Sequence, residues 1–111
     1  MVSKKLVDNI EAAAALLDLL GNDKRLVIVS YLIEGEMSVG AIAEKVELSQ
    51  SALSQHLAKL RKLDLVQTRR DRQMIYYSCR SEAVRSLLAT LEEIFGAGKP
   101  AERPWLRKSG T

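Results

Sequence analysis

Along the first twenty residues, Leu6, Ile10, Ala13, Leu17 and Leu20 recur at spacings of four, three, four and three. That period predicts a helix over residues 4–20 whose apolar seam suits a second helix. Gly21-Asn22-Asp23 then stops this helix and caps another. The second helix carries Leu26, Val27, Ile28, Val29 and Ile33, ends at Gly35 and reads as almost wholly buried. Ser38 caps a short third helix over residues 39–46, where Val39, Ile42, Ala43 and Val46 follow the i, i+3, i+4, i+7 pattern. Ser49 offers the next cap, and a fourth helix is predicted over residues 50–63.

The fourth helix has two unlike sides. At 100° per residue, Leu53, Leu57, Leu60 and Leu63 fall together, while Ser51, Ser54, Gln55, Ala58 and Lys62 fall opposite. The polar side is short and amide-bearing near its start and basic near its end, with Lys59, Arg61 and Lys62. Two short helices joined only by Glu47-Leu48, the second with a face suited to a groove, form a helix-turn-helix pattern. Beyond Asp64 the period becomes β-like in residues 65–69 and 74–78, predicting a hairpin with Arg69, Arg70 and Arg72 at its tip. Ser81 caps a fifth helix with Glu82 in its first turn and a wide stripe of Ala83, Val84, Leu87, Leu88, Leu91, Ile94 and Phe95. The prediction is mainly α with an α+β wing, a winged helix-turn-helix over residues 1–95. Gly98, Pro100, Pro104 and Gly110 break every later period, so residues 96–111 read as an irregular tail that Trp105 docks locally.

Composition agrees with a single folded domain: 111 residues, 47% hydrophobic and 28% charged. No apolar run approaches the roughly 20 residues of a membrane span, and the amino-terminal residues show no cleavable signal core, so a cytoplasmic location is expected. One cysteine, Cys79, excludes an internal disulfide and a site built from several thiolates of one chain. No paired carboxylates, Ser/His/Asp set or glycine-rich phosphate loop can be assembled, so no enzyme is expected. The net charge of +3 is unevenly spread. Residues 1–48 hold five Lys/Arg against eight Asp/Glu, residues 49–73 six against two, and residues 74–111 six against four. The basic character therefore lies on the fourth helix and hairpin, which points to a polyanion, double-stranded DNA above all.

The order of these elements resembles the ArsR/SmtB family of bacterial transcriptional repressors. Asn22-Asp23-Lys24-Arg25-Leu26 looks like the start of that family's second helix. The run from Leu48 through Ser49, Gln50, Ser51, Ala52, Leu53, Ser54, Gln55 and His56 to Leu57 looks like its recognition segment. Leu65-Val66, Arg69-Arg70 and Tyr76-Tyr77 look like its wing. Within the family, the recognition segment and Thr68-Arg69-Arg70-Asp71 resemble a branch of nodulation regulators, and next a thiol-responsive group. The resemblance implies a homodimer in which first and last helices pack across the two-fold axis, through Leu6, Ile10, Ala13, Leu17, Leu87, Leu91, Ile94 and Phe95. Two recognition helices would then meet successive major grooves of an imperfect inverted repeat.

Each candidate residue has a plainer alternative. Gln50, in the first turn of the recognition helix, can pair with N6 and N7 of adenine or simply supply polarity at a helix start. Ser51, Ser54 and Gln55 serve phosphate or base, and Ser49 suits a cap. His56 falls near the leucine side, which favours a hydrogen-bonded structural histidine over a phosphate contact. Lys59 reaches toward the backbone, whereas Arg61 and Lys62 read equally as a solvated face. Arg69, Arg70, Arg72 and Gln73 track phosphates or enter the minor groove, and Tyr76 adds a hydroxyl contact or packs beneath the wing.

The family's sensor sites are not matched. Its metal-sensing members place cysteines where this chain has Ser38, Gly40 and Ala41, and histidine in the last helix, where this chain has none. No metal or cofactor is expected, and Cys79, sharing a strand face with Ile75 and Tyr77, reads as a small buried apolar residue, with oxidation or an intersubunit bridge as the alternative. Two other readings stay open. One is an effector-responsive repressor answering a metal, oxidant or small molecule; the other is a winged helix that binds protein instead of DNA.

Overall fold

The computed structural model describes residues 2–96. They belong to two units divided after Ser81, each taken by itself below. The first opens with α1 (Lys4–Asp8) and α2 (Ile10–Leu20), where the seam predicted one helix. The break falls at Asn9, whose side-chain amide donates to the Lys5 carbonyl at 2.8 Å while its backbone N–H turns to Leu6. Asparagine competes locally for helix carbonyls in this way. Leu6, Ile10 and Leu17 are exposed, Ala13 is half-buried, and only Leu19 and Leu20 reach the core.

Helix α3 (Asp23–Glu34) starts where Asn22 was expected to cap it: its Oδ1 accepts from the Arg25 N–H at 3.0 Å. Ile28, Val29 and Leu32 form its buried stripe. Val27 points outward at 41% exposure, so this helix is less enclosed than its composition suggested. A run of consecutive apolar residues cannot all face one way on a 3.6-residue period. Strand β1 (Met37–Ser38) follows, too short to leave a period in the sequence.

Helices α4 (Val39–Val46) and α5 (Gln50–Lys62) stand at the predicted positions. Their first turns are capped by the hydroxyls of Ser38 and Ser49, which accept from Ala41 N–H at 3.2 Å and Ala52 N–H at 3.1 Å. Both helices end without glycine in the same way. After α4, Glu47 takes φ 57°, its N–H reaches the Glu44 carbonyl, and the Leu48 N–H reaches Ala43. After α5, Asp64 takes φ 57°, its N–H reaches Arg61, and Leu65 N–H reaches Leu60. These paired 5→2 and 6→1 bonds are Schellman closures, which bring the chain round in a left-handed residue and turn the next leucine inward.

Strands β2 (Gln67–Asp71) and β3 (Met74–Ser78) form the hairpin, and β3 lies between β1 and β2 in an antiparallel sheet. Asp71 pairs with Met74, so the turn is only Arg72-Gln73, with Arg72 at φ 61°. The hairpin is thus longer toward its tip than the sequence implied, and Arg69 lies along the strand opposite Tyr76, away from the turn. Ile28, Leu32, Ile42, Leu53, Leu57 and Leu60, each at most 2% exposed, make the core that holds α3, α4 and α5 together. Each such side chain contributes about 1.5–3 kcal/mol by leaving water. Cys79 is buried in the same unit, and its N–H reaches the Leu32 carbonyl.

The second unit is described through α6 (Glu82–Phe95), an amphipathic helix whose last apolar residues, Ile94 and Phe95, are each 41% exposed. Trp105 and the tail predicted over residues 96–111 lie outside the described residues, except Gly96.

Candidate nucleic-acid interface

The buried leucines of α5 fix which side of it faces out. With Leu53, Leu57 and Leu60 inward, Gln50, Ser51, Ser54, Gln55, Ala58, Lys59, Arg61 and Lys62 are exposed. The outward surface therefore starts with amides and hydroxyls and ends with three cations, and α5 contains no acidic residue. Ser49 is spent on the cap, although its hydroxyl proton stays available to donate.

The wing faces this surface. A groove of about 490 Å³ has Gln50 and Ser54 of α5 on one wall, Gln73 and Met74 of the hairpin on the other, and Ser38 and Gly40 beside them. The tip of the wing and the first turns of α5 thus border one concavity. Arg70 and Arg72 on the same hairpin are exposed and make no ion pair among the described residues.

Three further predicted residues, besides Ser49, are engaged with the protein itself. His56 is half-buried, and its Nδ1 lies 3.4 Å from the Arg25 guanidinium. Burial first, then the positive charge of Arg25 and of Lys59, holds the imidazole below its ordinary pKa. A neutral ring with Nδ1 as acceptor satisfies that contact. Arg69 donates through Nε and Nη2 to the Glu36 carboxylate at 2.9 and 2.8 Å, and its guanidinium carbon lies 4.6 Å from the centre of the Tyr76 ring. Tyr76 is half-buried beneath that cation.

Arg25, Lys24 and Glu36 were not singled out from the sequence for these roles. Arg25 also donates to the Leu19 carbonyl at 2.6 Å, and Lys24 donates to the Val46 carbonyl at 3.2 Å, a cation at the negative end of α4. Only the Asn22-to-Leu26 motif hinted at the first two. Among the described residues no group of three or more His, Cys, Asp or Glu could hold a metal ion, and no helix is long and apolar enough to cross a membrane.

Residues 22–68, from the cap of α3 through α5 into β2, match the family model for bacterial regulatory proteins of the arsR family. The nodulation protein NolR of Rhizobium meliloti is 53% identical over 104 residues, spanning 92% of this chain and 85% of that protein. The chain belongs to the ArsR family. As a member of that family it is similar in structure to NolR from Sinorhizobium fredii, with a TM-score of 0.79 and 52% identity over 88% of this chain and 98% of the other. The transcriptional repressor BigR from Xylella fastidiosa gives a TM-score of 0.80 at 34% identity, covering 86% and 97% of the two chains. A Mycobacterium bovis domain described as a homodimeric winged helix-turn-helix DNA-binding domain gives 0.72 at 26% identity, covering 93% and 96%. The family is one of transcriptional regulators with a winged helix-turn-helix, which agrees with the three-helix core and hairpin found in the first unit.

Proposed function

We propose that this ArsR-family chain is a homodimeric, sequence-specific DNA-binding protein that lowers transcription by occupying an imperfect inverted repeat in a promoter. The observation that carries the reading is the shared groove: Gln50 and Ser54 on the recognition helix α5 and Gln73 at the tip of the wing border one concavity, with Arg70 and Arg72 exposed on the same hairpin. Such a surface suits the edge of a duplex, with the helix in the major groove and the wing along the flanking backbone. Gln50, Ser51, Ser54 and Gln55 take the base-reading positions. Lys59, Arg70, Arg72 and Gln73 take phosphates, while Ser49, His56, Arg69 and Tyr76 hold the reading surface in shape.

Dimerisation supplies the second reading helix. Leu6, Ile10 and Leu17 on α1 and α2 of the first unit, and Ile94 and Phe95 on α6 of the second, are each exposed to water in the single chain. With Ala13 in the first unit and Leu87 and Leu91 in the second, these are the residues proposed to meet the partner protomer. The described homodimer from Mycobacterium bovis supports this. A two-fold dimer places its recognition helices about 34 Å apart, one turn of duplex. One relative, HlyU of Vibrio cholerae, is described as a transcriptional activator, whereas the Xylella fastidiosa relative is described as a repressor. The reading needs no enzyme activity, metal or cofactor, and places the protein with the chromosome in the cytoplasm.

In vitro selection from a library of random duplexes tests it. The enriched sequence should be two-fold symmetric with half-sites about 10 base pairs apart. Enrichment of an asymmetric motif, or of none, rejects the proposal.

A further inference from the structure

Of the three wing arginines, Arg69 alone is paired with carboxylates among the described residues. One edge of its guanidinium donates two hydrogen bonds to the Glu36 carboxylate, and its flat face rests on Tyr76. A second carboxylate, Asp71, lies 3.9 Å from its remaining nitrogen. The geometry crosses the whole sheet. Glu36 immediately precedes β1, Tyr76 pairs with Ser38 on β1 and with Arg69 on β2, and so the side chain of Arg69 spans the middle strand to reach Glu36. With the Nε–Nη2 edge taken by one carboxylate and the flat face resting on a ring, the side-on fork that pairs with phosphate is already filled and the guanidinium is aimed at β1.

We infer that Glu36 withdraws Arg69 from the DNA-facing set and makes it a strap that fixes the hairpin to β1, leaving Arg70 and Arg72 as the wing's phosphate contacts. The inference rests on the DNA-binding function proposed above and adds to it a positioning pair, Glu36 and Arg69, that shapes the wing without touching the duplex. Arg70 alternates to the other face of β2, opposite Ile75, and Arg72 stands at the turn. Neither meets a carboxylate among the described residues. The two charges support each other: the hydrogen bond to Arg69 holds the Glu36 carboxyl below its ordinary pKa, and the same bond raises that of the Arg69 guanidinium.

The salt dependence of affinity for the selected duplex separates a strap from a phosphate contact. Each lost phosphate contact makes the slope of log K against log salt shallower by about 0.9, hence by about 1.8 for a two-fold dimer. Arg70→Gln should show that change. The charge-neutral double variant Glu36→Gln with Arg69→Gln should leave the slope where it is, and Glu36→Gln alone, which releases Arg69, should steepen it. If the double variant is as shallow as Arg70→Gln, or Glu36→Gln changes nothing, the strap is refuted. The wild-type chain provides a second readout that needs no variant. The Arg69 Nε–Hε resonance should be protected in the free protein and keep its position on addition of duplex, while that of Arg70 moves; movement of Arg69 refutes the strap. Failure of the wild-type chain to prefer any duplex overturns the proposed function itself, a result distinct from a shallow slope in the double variant.

Discussion

The guanidinium of Arg25 lies between the Leu19 carbonyl, 2.6 Å away, and Nδ1 of His56, 3.4 Å away. One side chain from the start of α3 thereby ties the end of α2 to the middle of the recognition helix. Arg25→Ala removes a charged donor from a part-buried carbonyl and an acceptor ring, and a loss of about 1–3 kcal/mol in denaturant unfolding is expected. Arg25→Lys, with one donor group on a flexible stem, should recover only part of it. Full stability in the alanine variant would show that the bridge does not hold these helices.

His56 makes stability depend on pH. Its folded-state pKa lies below the ordinary value, because burial and Arg25 disfavour the imidazolium. The unfolded chain therefore binds the proton more readily. The stabilisation is complete above the unfolded value of about 6.5 and is lost as the pH falls through the folded one. The single histidine of the chain isolates this effect. Unfolding midpoints should fall between pH 7 and pH 5 in the wild type and stay flatter in His56→Gln; equal slopes would remove His56 as the cause.

How much of this was legible in the sequence depends on the distance over which each feature is decided. The caps at Asn22, Ser38 and Ser49 appear where they were expected, because a side-chain oxygen bonding an N–H three residues ahead is a local event. The leucine side of α5 was equally readable, since a helical period needs only its own segment. The Asn9 break and the two-residue strand β1 left no periodic trace. The roles of Arg69 and His56 depend on partners 33 and 31 residues away, Glu36 and Arg25, and no local pattern links them. A cluster of wing arginines read as equivalent was separated only by the register of the hairpin.

Glu47 closes α4 in a left-handed conformation that a side chain with a Cβ adopts at a cost of about 1–2 kcal/mol. Glu47→Gly should therefore raise stability by roughly 0.5–1 kcal/mol, part of the relief being offset by the freer unfolded chain. Glu47→Val should lower it. The reverse order in denaturant titrations would contradict the Schellman closure.

The exposed leucine seam predicts self-association. Leu17→Glu places a charge on a face that is apolar and 59% exposed in the single chain, so the lone protomer should still fold. Sedimentation equilibrium should then report a folded monomer where the wild type is a dimer. A variant that stays dimeric would move the interface elsewhere.

Gln50 is assigned to base reading. Gln50→Ala should change preference at one symmetric pair of positions in the selected duplex, at a cost of about 1–3 kcal/mol for the favoured base. An unchanged preference profile, with or without a loss of overall affinity, would take the residue out of direct readout.

The most direct measurement compares, by fluorescence anisotropy at physiological ionic strength, the affinity for the selected inverted repeat with that for its scrambled counterpart, while light scattering counts the protomers bound. The account predicts a preference of about a thousandfold or more, with two protomers on each repeat. Equal affinity for the two duplexes, or a single protomer on the repeat, would contradict it.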